Sequence, residues 1–329
     1  MEKYRDFSDP ETGINPFLDL PVPGSGRENV FFRIIRFPDR FVTTFSRFTF
    51  ALIILLWLNA ANFVAKMTFL IPYGQRFVLR YCHFLSMSVL LRILGFVNIK
   101  FLSNRDQVFG QPPNLKPPHV PSHSLLIANF SSLVDPLVLS FRHSCYFAIP
   151  LVKQDNQEVN QVRFYSLSSL MLRLLFPVIP HPTPIDLSEA MRKSWSRHCP
   201  LVLFPEGIPT NNRGILKLHP FSLDLNLDFD VFIIGISYPA SRFQRYPPTW
   251  PVMKKLFLVK LWHLCSQINS VRVVYDEPSN ISDVLKTSYL GLLQDKLADL
   301  TGSHSLSISS DVGLKLIKYI KNQTKHKTN

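Results

Sequence analysis

Apolar and polar positions change their spacing several times along the chain, and each change predicts a different element. Residues 1–29 keep no period. Pro10, Gly13, Pro16, Pro21, Pro23, Gly24 and Gly26 interrupt them, which predicts an irregular N-terminal arm. Over 30–47, Arg33, Arg36, Arg40 and Arg47 recur at helical spacing opposite Phe31, Ile34, Ile35 and Phe45. That spacing predicts a basic amphipathic helix, bent or broken at Pro38, that lies among lipid headgroups or packs on the main domain. Residues 48–72 form the longest apolar run, interrupted by Asn59, Asn62 and Lys66. A second apolar stretch, Phe77 to Ile99, carries Arg80, His83, Arg92 and Gly95. With the turn Pro72-Tyr73-Gly74-Gln75 between them, two arrangements are open. The first run spans a membrane alone, or both form a hairpin that enters one leaflet and returns. The hairpin is favoured because Asn and Arg are costly in a full span, and because it leaves the basic residues on one side. Residues 30–102 therefore read as an amphipathic helix followed by a membrane hairpin or transmembrane segment.

Pro112, Pro113, Pro117, Pro118 and Pro121 mark a linker over 103–123, and the main domain is expected at 124–329. There the pattern becomes short apolar runs alternating with helical spacing. Runs at 124–128, 145–152, 176–179, 200–204 and 231–236 predict buried strands. Helices are predicted from Pro136, with Asp135 as N-cap, over 164–175, and from a capping box Asp186-Leu-Ser-Glu189 to about Arg197. This order predicts an α/β fold, a mixed, mostly parallel sheet flanked by helices. Lys315, Lys318, Lys321, Lys325 and Lys327 make the C-terminus a basic tail, either solvated or tethered to anionic lipid.

Charge narrows the partners. Lys and Arg total 36 against 23 Asp and Glu, a net charge of +13, yet charged residues are only 18% and 27 Phe are present. A basic excess spread through an apolar chain suits an anionic membrane surface better than nucleic acid, for which no recognition motif is present. The four cysteines, at 82, 145, 199 and 265, lack zinc-ligand spacing, so no metal is expected and reduced thiols are. No cleavable signal peptide is visible. Asn15-Pro16-Phe17 is either a plain turn or a tripeptide of the kind endocytic adaptor domains bind.

Two motifs carry candidate chemistry, each directly after a predicted strand: Asn129-Phe130-Ser131-Ser132-Leu133-Val134-Asp135, and Phe204-Pro205-Glu206-Gly207 followed by Ile208 to Gly214. Together they resemble the glycerolipid acyltransferase family, which has Asn-His-x-x-x-x-Asp and Phe-Pro-Glu-Gly-Thr-Arg in this order. The resemblance covers roughly 120–240. Met1-Glu2-Lys3-Tyr4, Thr12-Gly13-Ile14 and Pro16-Phe17-Leu18 are similar to a fungal branch of lysophosphatidate:oleoyl-CoA acyltransferases linked to lipid droplets and vacuolar protein sorting. The resemblance implies an acyl-CoA-dependent enzyme that acylates lysophosphatidate to phosphatidate, with acyl-CoA as co-substrate and no cofactor. It also implies the cytosolic face of the endoplasmic reticulum, the Golgi or a lipid droplet.

In that family the motif His takes the proton of the acceptor hydroxyl and the Asp orients it. Here Phe130 stands at the His position, leaving Asp135 as catalytic residue or as helix cap. The resemblance assigns Asn129, Ser131, Phe204, Pro205, Glu206 and Gly207 to substrate binding. The family's phosphate-binding Arg falls on Pro209, so Arg213 is the nearest guanidinium for the acceptor phosphate, with an exposed turn residue as the alternative. The family's Gly-x-Ile-x-x-x-Arg motif has no counterpart Gly or Arg over 176–184. Of His123, His143, His181 and His219, the last follows the Glu206 loop and is the candidate replacement base, beside the acceptor's own phosphate. The alternative to an enzyme is a catalytically impaired acyltransferase scaffold that binds lipid or acts in vacuolar sorting or droplet formation.

Overall fold

The computed structural model describes residues 2–18, 37–67, 84–104, 119–151, 161–175, 180–221, 229–239, 265, 269–276 and 289–328. After a short 3-10 helix (Glu2–Phe7) come α1 (Phe37–Met67), α2 (84–93), β1 (Phe96–Ser103), β2 (Ser124–Ala128), α3 (Asp135–His143), β3 (Tyr146–Pro150), β4 (Gln161–Tyr165) and α4 (Leu167–Leu175). Then follow β5 (Ile185–Asp186), α5 (Leu187–Trp195), β6 (Leu201–Leu203), β7 (Gly214–Ile215), β8 (Asp230–Ser237), β9 (Asn269–Tyr275), α6 (Tyr289–Thr301), β10 (His304–Ser305) and α7 (Ser310–Thr328).

Among the described residues, eight strands form one mixed sheet in the order β1-β9-β8-β2-β6-β3-β4-β5. The central four, β8-β2-β6-β3, are mutually parallel; β8–β9, β3–β4 and β4–β5 are antiparallel. The mixed, mostly parallel α/β fold read from the sequence is present. β2 is buried on both faces, as a strand with helices on either side must be. Its Leu126 and Ala128 enter a core shared with Leu90, Leu137 and Leu170 of α2, α3 and α4. Leu125 and Ile127 enter the opposite core with Met191 of α5 and Leu297 of α6.

Several expectations change. Residues 96–102, read as the end of the membrane segment that precedes the boundary at 103–123, belong instead to β1, which pairs in parallel with β9 in the main sheet. Of the second apolar stretch, Phe77 to Ile99, residues 84–93 form α2, which stops at a turn where Gly95 takes φ 85°, and the chain then enters β1. Pro38 does not split α1. It lies in the first turn of a 31-residue helix, where a missing N–H costs nothing. Arg47 is not on a solvent face opposite Phe45: it donates to the Cys265 carbonyl at 3.3 Å, while Phe45 is exposed. Among the described residues no helix is long and apolar enough to cross a membrane, and the hairpin turn at 72–75 lies outside them. The strand expected at 176–179 also lies outside them. Asp186 is the N-cap of α5 but makes no side-chain cap hydrogen bond, so the capping box is not closed. The basic C-terminus is no free tail. It is helix α7, whose Leu316 is buried while Lys315 and Lys318 are exposed.

The N-terminal arm is packed over 2–18. Phe17, Ile14, Ile208, Leu216, Leu306 and Leu316 make a third apolar cluster between arm, second motif and α7. Asp9 anchors it, accepting from Ser307 N (2.8 Å) and Oγ (2.7 Å) and from Thr12 N and Oγ1 (both 2.9 Å). Burial alone would raise the Asp9 pKa, but these hydrogen bonds outweigh it and hold the carboxyl at about 2.

Candidate active site

In parallel sheets the loops after adjacent strands gather at one edge, where ligand crevices form. Here β8, β2 and β6 are neighbours, and their carboxyl ends carry Tyr238, the Asn129–Asp135 loop and the Phe204–Gly214 loop. The two sequence motifs therefore meet, as their spacing after strands suggested.

Glu206 joins them. It is fully buried, and its Oε1 accepts the Phe130 N–H at 2.7 Å while Oε2 accepts the Leu216 N–H at 3.0 Å. Burial pushes its pKa up to about 8, although both N–H groups favour the carboxylate; the Asp135 charge pushes the same way as burial. Thr210 adds a second tie, donating its N–H to the Phe130 carbonyl at 2.8 Å. Both Glu206 oxygens are thus engaged by backbone N–H groups, one following β2 and one following β7. Gly207 takes φ 75° in the turn after it, a conformation glycine adopts without strain.

Phe130 is buried, its ring stacked on Phe204 with centroids 4.4 Å apart, and Phe204 stacks on Phe147 at 5.9 Å. Pro205 is also buried, its carbonyl accepting the His219 N–H at 3.0 Å. Asn129 completes the β2–β8 ladder with its side chain: Oδ1 accepts Ile236 N–H at 2.7 Å, and Nδ2 donates to the Ile236 carbonyl at 2.9 Å and to Ser131 Oγ at 2.8 Å.

Asp135 is not the cap that the sequence suggested. The N-cap of α3 is Val134, and the Asp135 carboxylate turns back toward the preceding loop. Its Oδ2 accepts the N–H groups of Ser131 (2.6 Å) and Ser132 (2.8 Å), and its Oδ1 accepts a short hydrogen bond from the Tyr238 hydroxyl. Complete burial raises its pKa to about 7 against these three stabilising bonds.

His219 lies elsewhere. Its Nε2 is 2.6 Å from Ser310 Oγ at the start of α7, and none of its hydrogen bonds among the described residues reaches Asp135. Burial lowers its pKa, partly opposed by Asp311. Three other histidines are also engaged away from the motif: His143 with the Tyr275 hydroxyl at 2.8 Å, His181 with Tyr165 and Arg173, and His123 against Trp195. Arg213 is exposed beside Asn212, with no side-chain hydrogen bond among the described residues.

Sequence reasoning missed Tyr238, Thr210 and Asn211. Tyr238 stood in plain view before Pro239, just after the predicted strand at 231–236. Asn211 is buried and fixes the arm, its N–H donating to the Pro16 carbonyl at 2.7 Å and its Nδ2 to the carbonyls of Asn15 (2.8 Å) and Leu18 (3.0 Å). Within the arm, Asn15 Oδ1 accepts the Phe17 N–H at 3.0 Å, and Phe17 is fully buried. Asn15-Pro16-Phe17 is therefore a turn packed against the second motif, and its Phe is closed to an adaptor domain.

No protein-family model matches the chain. Comparison with known proteins nonetheless places its similarities among acyltransferases of lysophosphatidate. Among curated proteins it is similar to a "Putative lysophosphatidic acid:oleoyl-CoA acyltransferase" of Schizosaccharomyces pombe (strain 972 / ATCC 24843). The two are 27% identical over 232 residues, 67% of each chain. Among solved structures, the 1-acyl-sn-glycerophosphate (LPA) acyltransferase PlsC from Thermotoga maritima matches over 81% of this chain and 96% of its own, at 12% identity and a TM-score of 0.47. The resemblance read from the two motifs, including its fungal branch, holds in the curated comparison.

Proposed function

We propose that this chain transfers an acyl group from acyl-CoA to lysophosphatidate, giving phosphatidate, a 1-acylglycerol-3-phosphate O-acyltransferase reaction. One observation carries the reading. Glu206 holds the two acyltransferase-like loops together at the carboxyl ends of adjacent parallel strands, beside an Asp135 whose pKa lies near neutrality. A carboxyl poised there can take part in removing the acceptor's proton, a step worth about 10²- to 10⁴-fold in rate. The exposed Arg213 and the net charge of +13 suit two anionic substrates. The name of the S. pombe relative supports the acceptor and an oleoyl donor.

The reaction belongs at a lipid surface. Val42, Phe45, Ile53, Leu56 and Trp57 of α1 stay exposed on the side opposite buried Thr44 and Ala51, and Phe84 and Leu85 of α2 are also exposed. An apolar area of this kind suits contact with the cytosolic leaflet of the endoplasmic reticulum or Golgi, or with a droplet monolayer.

The test is CoA thiol release from oleoyl-CoA by the purified full chain. Release that requires lysophosphatidate supports the proposal; acceptor-independent or absent release overturns it. The burial of Phe130 at the base position favours a second reading, a lipid-binding scaffold without turnover. Under that reading lysophosphatidate still binds, and Phe130→His gains activity from a zero baseline.

A further inference from the structure

Asp135 would orient a motif imidazole, but the side chain at 130 is a phenyl ring packed on Phe204. Of the three donors on the Asp135 carboxylate, two are backbone N–H groups, which do not pass protons onward. The third is the Tyr238 hydroxyl, delivered from the end of β8, the strand beside β2. We propose that Tyr238 takes the place of the missing imidazole, its hydroxyl receiving the acceptor's proton as it gives its own to Asp135. This inference rests on the acyl-transfer reading above.

The step balances. The acceptor oxygen bonds to the thioester carbonyl carbon, and the acceptor proton moves to Tyr238 Oη. The proton of Tyr238 moves to Asp135 Oδ1, and the C–S bond breaks with its electron pair leaving on the CoA thiolate. The proton returns through the same hydrogen bond to that thiolate, giving free CoA thiol.

The surroundings fit such a relay. Burial and the Asp135 charge both raise the Tyr238 pKa, so its O–H stays protonated until the carboxylate draws the proton away. The Asp135 charge in turn raises the pKa of Glu206, on the loop after β6. Next to Tyr238, Asn212 donates its Nδ2 to the Tyr238 carbonyl at 3.5 Å, while its Oδ1 is buried with no donor among the described residues. Asn212 is also held at φ 64°, in the left-handed region. Asn212 Oδ1 is thus a buried acceptor next to Tyr238 whose hydrogen bond is unmet among the described residues.

The test measures kcat and KM against pH for the full chain as wild type, as Tyr238→Phe, and with 3-fluorotyrosine inserted at 238. Wild-type kcat is expected to rise as Asp135 ionises near pH 7. Tyr238→Phe is expected to lose about 100-fold or more in kcat, with KM for both substrates held within about twofold. The more acidic fluorotyrosine keeps the shape and donates more strongly to Asp135, so the rising limb moves to lower pH. Wild-type kcat in Tyr238→Phe, or an unmoved limb in the fluorotyrosine protein, overturns the relay while leaving the acyl-transfer reading intact. If Tyr238→Phe fails to fold, the fluorotyrosine limb alone decides. A wild type without turnover overturns both.

Discussion

The Glu206 carboxylate satisfies buried N–H groups on two different loops, so removing it leaves two donors without partners. Glu206→Ala is expected to cost about 3 kcal/mol, read as a fall in the denaturant midpoint at unchanged slope. Titration gives a second prediction at this scale. Asp135 and Glu206 have folded-state pKa values raised to about 7 and about 8, so the native state holds protons that the unfolded chain releases above the ordinary carboxylate range. Their contribution to stability is therefore present at low pH and lost as pH rises toward 8. Asp9, lowered to about 2, acts in the opposite sense, and its contribution is lost as pH falls from about 4 toward 2. The thermal midpoint is expected to fall between pH 5 and pH 8, and Glu206→Gln to flatten that fall. A midpoint that rises steadily over this interval would contradict the assignment.

Among the elements, the N-terminal arm packs through one ring besides its polar ties at Asp9 and Asn211. Phe17 is fully buried, and a Cβ at Gly313 of α7 would lie 2.7 Å from Phe17 Cε1 and 2.5 Å from Ile208 Cδ1. Phe17→Ala is expected to cost about 3 kcal/mol or more and to open residues 2–18 to limited proteolysis. Gly313→Ala should loosen the same contact, and the folded chain should not bind adaptor domains through Asn15-Pro16-Phe17. The central strands were legible because a strand buried on both faces is an unbroken apolar run: Ser124–Ala128, Leu201–Leu203 and Asp230–Ser237 all lie where such runs stand. β1 and β9 were not, because each mixes polar residues into its run and the two are paired from distant parts of the chain. α7 was hidden by its lysines: Gly313 and Leu316 are buried, while Lys315 and Lys318 are exposed. Both motif loops could be placed from sequence. The partner of Asp135 could not, because Tyr238 lies 103 residues away and only the β2–β8 pairing brings it near.

Over the whole molecule, a basic chain carries an apolar stripe along α1 that is exposed among the described residues. If that stripe meets lipid, Leu56→Glu with Trp57→Glu should sharply reduce co-sedimentation with anionic vesicles. The remaining charge-driven binding should weaken as salt is raised. Equal binding by this variant and the wild type would detach the stripe from the membrane role. The proposed chemistry is assigned to Asp135, Glu206 and Tyr238 at the carboxyl ends of β2, β6 and β8, so the most direct measurement follows its product. Purified wild type and Asp135→Asn are incubated with lysophosphatidate and labelled oleoyl-CoA, and labelled phosphatidate is quantified by mass spectrometry. The account predicts phosphatidate from the wild type and about 100-fold less from Asp135→Asn, which keeps the size of the side chain but takes no proton. Equal yields from both proteins, or no phosphatidate from either, would contradict it.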